Sequence, residues 1–310
     1  MSETAAIRVE SLRKRYGALW AVDGVSFSVE PGEVFCLLGP NGAGKTTTIE
    51  CMEGYRRPDE GQIRVLGLDP TTEEAALRHV VGVQLQEASL PPRLKVWEIL
   101  QLFSVLYERA EVPWSLLERL GLEHKRDAFF DKLSGGQKQR LFVALALINE
   151  PRVVFLDEIT TGLDPRARQD IWGLIRDIRS NGATVVLSTH FMEEAEALAD
   201  RVGIMKNGRM VANDTPGELL RSLDAAGQIS LRVDGAVDVE LLRSVPGVRQ
   251  VDAELEGYRA YGAGRGWIAR FIAAVDAQGA DVVDVHTERA SLEDVYLAAT
   301  EEEPTMVGVR

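Results

Sequence analysis

One eight-residue segment constrains the fold of this chain more than any other. Residues 39–46 read Gly-Pro-Asn-Gly-Ala-Gly-Lys-Thr, directly after the largely apolar run 33–38 and directly before a segment of helical character. A glycine-rich turn between a buried strand and a helix points several backbone N–H groups at one place, and the helix N-terminus adds a favourable dipole for an anion. The segment therefore predicts a phosphate-binding loop at the carboxyl edge of a parallel sheet.

The residue types in this loop also predict individual roles. In such a loop the lysine reaches the β- and γ-phosphates, and the hydroxyl of the next residue ligates Mg²⁺. These two residues are Lys45 and Thr46 in this chain. A nucleoside triphosphate with Mg²⁺ is the expected ligand. The predicted nucleotide-binding residues are Gly39, Pro40, Asn41, Gly42, Ala43, Gly44, Lys45, Thr46 and Thr47.

A second segment supplies acids to the same predicted edge. Residues 153–158 read VVFLDE, an apolar run that ends in Asp157 and Glu158. A buried parallel strand that ends in an acid delivers its carboxylate beside the phosphate loop. We expect Asp157 to hold Mg²⁺ and Glu158 to polarise the attacking water. Alone, the pattern is equally compatible with a helix cap; the phosphate loop favours the catalytic interpretation.

The third signal is the segment LSGGQKQR at 133–140. A serine and two glycines before a helix form a second anion-binding nest, although the same pattern in isolation is most simply a helix cap. Placed between the two nucleotide motifs, it resembles the signature sequence of the ATP-binding subunits of ATP-binding-cassette (ABC) transporters. The resemblance covers residues 5–220 and implies that Ser134, Gly135, Gly136 and Gln137 contact ATP.

The resemblance implies roles for two residues near the adenine and the metal. Tyr16 lies where the family has an aromatic side chain that stacks on adenine, and its alternative is an aromatic that packs on a strand or turn. Gln86 matches the family glutamine that contacts Mg²⁺ and the attacking water. Gln84 is an alternative by spacing, and the strand followed by Gln-Glu favours Gln86.

Two further residues match family positions at the γ-phosphate and at the dimer interface. Asp164, in TTGLDP at 160–165, resembles the acid of the loop that crosses the interface, and His190 resembles the histidine that senses the γ-phosphate. Ile159 departs from the proline that commonly follows the catalytic glutamate, with no loss of a catalytic group. Because Glu158 and His190 are both present, the resemblance implies an ATPase competent for hydrolysis.

Strand and helix patterns predict the domain organisation. Residues 1–224 alternate strands and helices around a helical insert at about 87–150, which predicts an α/β P-loop cassette with an α-helical subdomain. Residues 225–300 follow the order βαββαβ, which predicts a small α+β ferredoxin-like accessory or regulatory domain. Residues 225–310 contribute −7 of the net charge of −13, a composition break that supports the boundary. The tail 301–310 is expected to be disordered.

Composition argues against several other classes of protein. A net charge of −13 argues against nucleic-acid binding, which depends on Lys and Arg. Cys36 and Cys51 are too few for a disulfide framework or a zinc site, and both are expected to be inert buried thiols. The N-terminus lacks the pattern of a signal peptide, and no apolar run approaches the roughly 18–20 residues of a membrane span. A cytoplasmic location is expected.

The resemblance further implies an assembly. Ser134, Gly135 and Gly136 of one chain close over the ATP of a second ATPase subunit, most simply a second copy, in a head-to-tail dimer. Residues 189–219 and the segment SLEDVYLAAT at 291–300 resemble the drug-resistance type of exporter ATPase, which pairs with an ABC-2-type integral-membrane permease. The chain is then a peripheral protein on the inner face of the membrane that powers export of drugs, lipids or similar compounds.

Two alternatives remain open from the sequence. Val96, Trp97 and Leu100 either line the groove in which the permease docks or pack in the core. The whole chain is either a transporter subunit or a soluble ABC-type ATPase that regulates a non-transport process. The second class usually has tandem cassettes, a long coiled coil or zinc cysteines, and the sequence shows one cassette and none of these features.

Overall fold

The structure, a computed structural model, describes residues 5–84, 90–107, 114–222, 227–235, 237–254, 257–289 and 291–301. The chain divides into two units, Met1–Thr215 and Pro216–Arg310. The division falls a few residues before the boundary at 224 predicted from composition. The helix Pro216–Ser222 contacts the helix Leu292–Glu301 and therefore belongs to the second unit.

The first unit alternates strands and helices in the predicted order. Its elements are β1 (Ile7–Tyr16), β2 (Leu19–Val29), β3 (Val34–Leu38), α1 (Lys45–Met52), β4 (Glu60–Val65), α2 (Glu74–Arg78), β5 (Val81–Gln84), α3 (Val96–Leu106), α4 (Ser115–Arg119), α5 (Gly135–Ala146), β6 (Val153–Asp157), α6 (Pro165–Ser180), β7 (Thr184–Thr189), α7 (Met192–Leu198), β8 (Arg201–Lys206) and β9 (Arg209–Asp214).

A six-stranded sheet in the order β5-β6-β7-β3-β8-β9 forms the centre of this unit. The first five of these strands run parallel, and β9 is antiparallel to β8. Every residue of β3, β6 and β7 is buried, as expected for central strands covered on both faces. Because β3, β6 and β7 are parallel neighbours, the loops that follow them meet at one edge of the sheet.

A separate antiparallel sheet in the order β2-β1-β4 packs its apolar face into the same core. The alternation of apolar and polar residues at 7–11 and 25–29 predicts two short strands, and strands β1 and β2 are longer than these segments. The alternation breaks at Ser11, which has φ 48°, and the register of β1 against β2 shifts there. The irregularity hides the continuation of β1, which reaches Tyr16.

The helical segment of this unit settles one alternative left open by the sequence. Val96 and Leu100 of α3 are both 0% exposed and belong to the core, while Trp97 is half-buried. The exposed apolar side chains of α3 are Leu102, Val105 and Leu106. Packing in the core is therefore the correct interpretation for Val96 and Leu100.

The second unit has the βαββαβ order predicted from the sequence, preceded and followed by a helix. Its strands form an antiparallel sheet in the order β11-β12-β10-β13, and Trp267, Phe271 and Val275 pack on it. Its elements are α8 (Pro216–Ser222), β10 (Gly227–Asp234), α9 (Val239–Arg243), β11 (Val248–Glu254), β12 (Gly257–Gly262), α10 (Trp267–Asp276), β13 (Asp281–Arg289) and α11 (Leu292–Glu301).

The spacing of Ser291 and Asp294 predicts a variant capping box, and these two residues form it at the start of α11. Residues 302–310 of the predicted tail lie outside the described residues. Among the helices that the structure describes, none has the length and apolar character required to span a bilayer.

Candidate functional site

The predicted phosphate loop joins β3 to α1 at the edge of the sheet. Two of its glycines are required by close backbone approach: a Cβ on Gly39 would lie 2.4 Å from the carbonyl oxygen of Met205, and one on Gly44 would lie 2.3 Å from that of Ala21. Gly44 also has φ 100°, a conformation that glycine adopts without strain. No larger residue fits these two positions without movement of the neighbouring backbone.

Lys45 lies inside the curl of this loop. Its side chain is 3% exposed, and its ammonium donates hydrogen bonds to the carbonyl oxygens of Gly39 at 2.8 Å and Pro40 at 3.2 Å. The same Nζ lies 3.3 Å from Oε1 of Glu158, whose side chain is 8% exposed. A largely buried cation therefore joins the phosphate loop to the end of β6.

His190 contacts the same carboxylate from the next strand. Its Nδ1 lies 3.6 Å from Oε1 of Glu158. Glu158 has φ 49°, a left-handed conformation that costs a non-glycine residue roughly 1–3 kcal/mol and that occurs preferentially at functional sites. The structure thus brings together three residues that the sequence predicts separately. Lys45 and His190 both contact the carboxylate of Glu158.

Asp157 is the last residue of β6 and is 5% exposed. Its carboxylate accepts hydrogen bonds from the hydroxyls of Ser188 and Thr46. Burial raises the pKa of Asp157 above its ordinary value, and the two hydroxyls and nearby Lys45 oppose that shift. The local donor set consists of hydroxyl and carboxylate oxygens, which Mg²⁺ prefers, so the residues present fit this ion.

Glu53 lies behind the loop, at the C-terminal end of α1, and is 6% exposed. Burial raises the pKa of Glu53 to about 8, and the negative charges of Asp157 and Glu50 add to the rise. At neutral pH this carboxyl is largely protonated and adds little negative charge near the phosphates. The sequence shows Glu53 only as an acid at a helix end, because its burial is a property of the fold.

A cavity of about 630 Å³ runs from the phosphate loop to the end of β1. This size lies within the usual range of small-molecule sites. Tyr16 is 43% exposed at one end, and Glu158 lines the other. The lining residues are Tyr16, Leu19, Trp20, Ala21, Asn41, Gly42, Gly44, Lys45, Thr46, Thr47, Glu158 and Asn207.

Sequence reasoning missed four residues of this cavity: Leu19, Trp20, Ala21 and Asn207. Leu19 is 69% exposed, which is unusual for a leucine, and it lies three residues after Tyr16, the predicted adenine contact. Asn207 has φ 50° in the turn between β8 and β9, and the dipeptide Asn-Gly is the only sequence signal for it. A turn is readable from the sequence, but its position against the phosphate loop depends on the tertiary fold.

The predicted signature segment does not line this cavity. Ser134 is exposed and caps α5: its hydroxyl accepts from the Gln137 backbone N–H at 3.3 Å, and its own N–H donates to Gln137 Oε1 at 3.0 Å. Gly135 and Gly136 follow as the first residues of the helix. These four residues are therefore at a helix N-terminus open to an anion, away from the phosphate loop of their own chain.

Asp164 lies at the N-terminus of α6, where its carboxylate accepts from the N–H groups of Arg166 and Ala167 at 3.0 Å. This loop packs beside the signature segment. A Cβ on Gly136 would lie 3.3 Å from that of Ala167, and one on Gly135 would lie 4.0 Å from Leu163. The tertiary structure therefore places both predicted interface segments side by side.

Gln86 lies outside the described residues, so its predicted contacts stay a prediction. Gln84, the alternative by spacing, is the last residue of β5 and is 3% exposed. Cys36 and Cys51 are free, buried thiols, and burial raises the pKa of both, that of Cys51 to about 12. Their predicted inertness follows from this burial.

Comparisons with known proteins agree with this geometry. The sequence model of the family described as ABC transporter matches residues 22–161. The chain is 46% identical over 224 residues to Nod factor export ATP-binding protein I of Paraburkholderia xenovorans (strain LB400), covering 70% of this chain and 73% of the relative. It is 44% identical over 223 residues to the protein of the same name in Rhizobium etli, covering 70% and 71%.

Solved structures of ABC cassettes share the fold. The chain is similar to cbiO1 from Clostridium perfringens, part of the ABC transporter complex cbiONQ, with 29% identity, a TM-score of 0.62 and coverage of 72% of this chain and 95% of that one. It is also similar to a bacterial ABC transporter cassette solved as a dimer, with 25% identity, a TM-score of 0.61 and coverage of 67% and 98%.

The predicted motifs, the α/β fold and these likenesses agree with one another. The long match to relatives, rather than any single motif, is what shows the family. The chain belongs to the ABC transporter family, as an ATP-binding, ATP-hydrolysing subunit.

Proposed function

We propose that this chain powers an ABC-2-type exporter by hydrolysing ATP in a head-to-tail dimer, each site of which combines residues of both subunits. The observation that carries the proposal is the convergence of Lys45, Glu158 and His190 at one end of the cavity whose other end holds Tyr16. Phosphoryl transfer to water needs positioning and charge neutralisation rather than a covalent intermediate, and these residues supply both.

Each residue of the cavity has a distinct task in this proposal. Tyr16 stacks on the adenine, and the backbone N–H groups of 39–47 hold the phosphates. Lys45 neutralises charge on the β- and γ-phosphates. Glu158 orients and polarises the attacking water, and His190 contacts the γ-phosphate. Support for the last two tasks comes from Oε1 of Glu158, which lies 3.3 Å from Nζ of Lys45 and 3.6 Å from Nδ1 of His190.

Thr46 and Asp157 are the residues we assign to Mg²⁺, with Gln86 as a third ligand. Their oxygen atoms and their mutual hydrogen bond support this assignment. Bound there, the ion would neutralise negative charge on the phosphates. Because a cation favours the ionised carboxylate, its binding is expected to reverse the raised pKa of Asp157.

The dimer follows from the position of the signature segment. Ser134, Gly135, Gly136 and Gln137 lie at an exposed helix N-terminus next to the loop of Asp164, and they do not line their own chain's cavity. In the proposed homodimer they close over the γ-phosphate held by the partner chain. A similar cassette has been solved as a dimer, which supports this arrangement.

Export is supported by the names of the relatives, which are Nod factor export ATP-binding proteins in several organisms. In the proposed complex the permease supplies the membrane spans and contacts the cargo, which belongs to drugs, lipids or similar compounds. The ATPase then lies on the cytoplasmic face of the membrane. The second unit is proposed to be a ferredoxin-like accessory or regulatory domain that takes no part in the chemistry.

The shared site is tested by two substitutions and a control. Glu158→Gln should bind ATP, hydrolyse it slowly and form an ATP-dependent dimer in size-exclusion chromatography with light scattering. Adding Ser134→Arg should abolish the dimer and leave ATP binding to the monomer intact. Ser115→Arg, an equal change at another exposed helix start, should leave the dimer unaffected. The assignment fails if Ser134→Arg abolishes ATP binding to the monomer.

A soluble regulatory ATPase is the alternative function, and purification from membranes separates the two. A transporter subunit should co-purify from detergent-solubilised membranes with a polytopic protein that lacks a phosphate loop. Its ATPase rate should rise in that complex. Purification without any membrane protein, together with full activity of the chain alone, would favour the regulatory alternative.

A further inference from the structure

A buried carboxylate behind the site connects three segments of the first unit. Glu194 of α7 is 2% exposed. Its Oε1 accepts a hydrogen bond from the indole N–H of Trp172 at 3.0 Å, and its Oε2 accepts one from the hydroxyl of Thr160 at 3.1 Å. Trp172 belongs to α6, and Thr160 lies in the loop between β6 and α6. One side chain thus joins the two helices and the loop.

A charge in this position is costly unless it is well satisfied. A buried carboxylate loses its hydration, and among the described residues neither Lys nor Arg forms an ion pair with Glu194. Two neutral donors hold it instead, both of them largely buried: Trp172 is 6% and Thr160 1% exposed. Apolar side chains would hold α6 and α7 together at a smaller desolvation cost. What the carboxylate adds is two hydrogen bonds of defined direction, which apolar packing lacks.

These two hydrogen bonds involve both of the segments that contain the predicted catalytic residues. Thr160 follows Glu158 by two residues, and Glu194 follows His190 by four. The segment of His190 has a second attachment to α6: the rings of His190 and Phe191 are 4.2 Å apart, and the guanidinium of Arg168 lies 4.3 Å from the centre of the Phe191 ring. The segment that contains Glu158 and the segment that contains His190 are therefore both attached to α6.

We propose that Glu194 is a positioning residue for ATP hydrolysis. It fixes the loop 160–164 against α6 and α7, and thereby fixes the distance between Glu158 and His190 and the place of Asp164. The inference rests on the catalytic roles proposed for Glu158 and His190. A displacement of about 1 Å in such a group costs on the order of 100-fold in rate. The effect belongs to turnover, because Glu194 does not line the nucleotide cavity.

A matched pair of substitutions at Thr160 tests the hydrogen bond. Thr160→Val keeps the shape and removes the donor, whereas Thr160→Ser keeps the donor. We expect Thr160→Val to lower kcat by about 10- to 100-fold with an unchanged KM for ATP. Thr160→Ser and Glu193→Gln, which removes a charge from an exposed position of the same helix, should stay close to the parent chain. Trp172→Phe removes the other donor and should resemble Thr160→Val.

Hydrogen exchange provides a readout independent of activity. Amides of 160–164 should exchange faster in Thr160→Val than in Thr160→Ser, at equal melting temperature. Equal exchange in the two variants overturns the inference, as does an equal kcat. If Glu158→Gln retains full turnover, the proposed function fails instead, and the exchange comparison still decides the role of Glu194 in holding the loop.

Discussion

The ammonium of Lys45 and the carboxylate of Glu158 form a contact of 3.3 Å with side chains that are 3% and 8% exposed. The cation expected to bind the phosphates is thus paired with the acid expected to polarise water. We expect a γ-phosphate that enters the loop to compete with Glu158 for Lys45. The same contact also brings the acid to the position where the terminal phosphate is expected.

Lys45→Ala is expected to abolish ATP hydrolysis and weaken nucleotide binding. The substitution removes the positive charge in the loop and leaves the carbonyl oxygens of Gly39 and Pro40 without their donor. Turnover and nucleotide affinity of the purified protein are the measurements. Lys132→Ala, at an exposed lysine, is the control. Near-normal turnover of Lys45→Ala would refute the assignment of residues 39–46.

Glu158→Gln should have opposite effects on binding and on turnover. The neutral amide competes less strongly for Lys45 than the carboxylate does, so ATP should bind several-fold more tightly, as measured by isothermal titration calorimetry. Hydrolysis should fall by about 10²–10⁴-fold, the usual loss when a positioned general base is removed. Weaker ATP binding in this variant would show that Glu158 holds the loop in shape rather than competing with phosphate.

Tyr16→Ala should weaken ATP binding, because the ring lines the cavity and is 43% exposed. A stacking contact of about 1 kcal/mol corresponds to roughly a five-fold rise in Kd. Tyr16→Phe keeps the ring and should bind like the parent chain. Equal affinity in the alanine and phenylalanine variants would remove Tyr16 from the nucleotide site.

Glu53→Gln should change how stability depends on pH. A carboxyl with a higher pKa in the folded chain binds its proton more tightly when folded, so its contribution to stability is full below the ordinary value of 4.5 and is lost as pH rises through about 8. We expect the variant to be more stable than the parent at pH 9, on the order of 2 kcal/mol, and similar at pH 4.5. Thermal unfolding across this range measures it, and an equal gain at both pH values would contradict the burial effect.

Two truncations test the division of the chain. A chain that ends at Thr215 should fold and bind ATP. A chain that ends at Leu223 retains the helix Pro216–Ser222 without its partner Leu292–Glu301, and so exposes Leu219, which is 4% exposed in the intact protein. We expect the longer truncation to aggregate more. If the shorter one is folded but does not bind ATP, the second unit contributes to the nucleotide site.

Local patterns in the sequence predict most of the secondary structure. Residue patterns in the sequence predict a helix at about 45–52 and strands at 153–157 and 184–189, and the structure has elements with these bounds. The helix is bounded by Gly44 and Glu53, and the two strands are largely apolar runs, so residues nearby in the sequence determine their ends. Strand β1 was predicted too short because the irregular backbone at Ser11 interrupts its alternation.

By itself, the sequence determined which residues we propose for the chemistry, because a phosphate loop, a strand ending in acids and a signature helix are local motifs. The meeting of Lys45, Glu158 and His190 was decided only by the tertiary structure, since β3, β6 and β7 are distant in sequence and adjacent in the sheet. The burial of Glu53 and Glu194 was decided in the same way. Side chains of one residue type differ in pKa and in hydrogen bonding according to what packs around them, and packing is set by contacts between segments that are far apart in the chain.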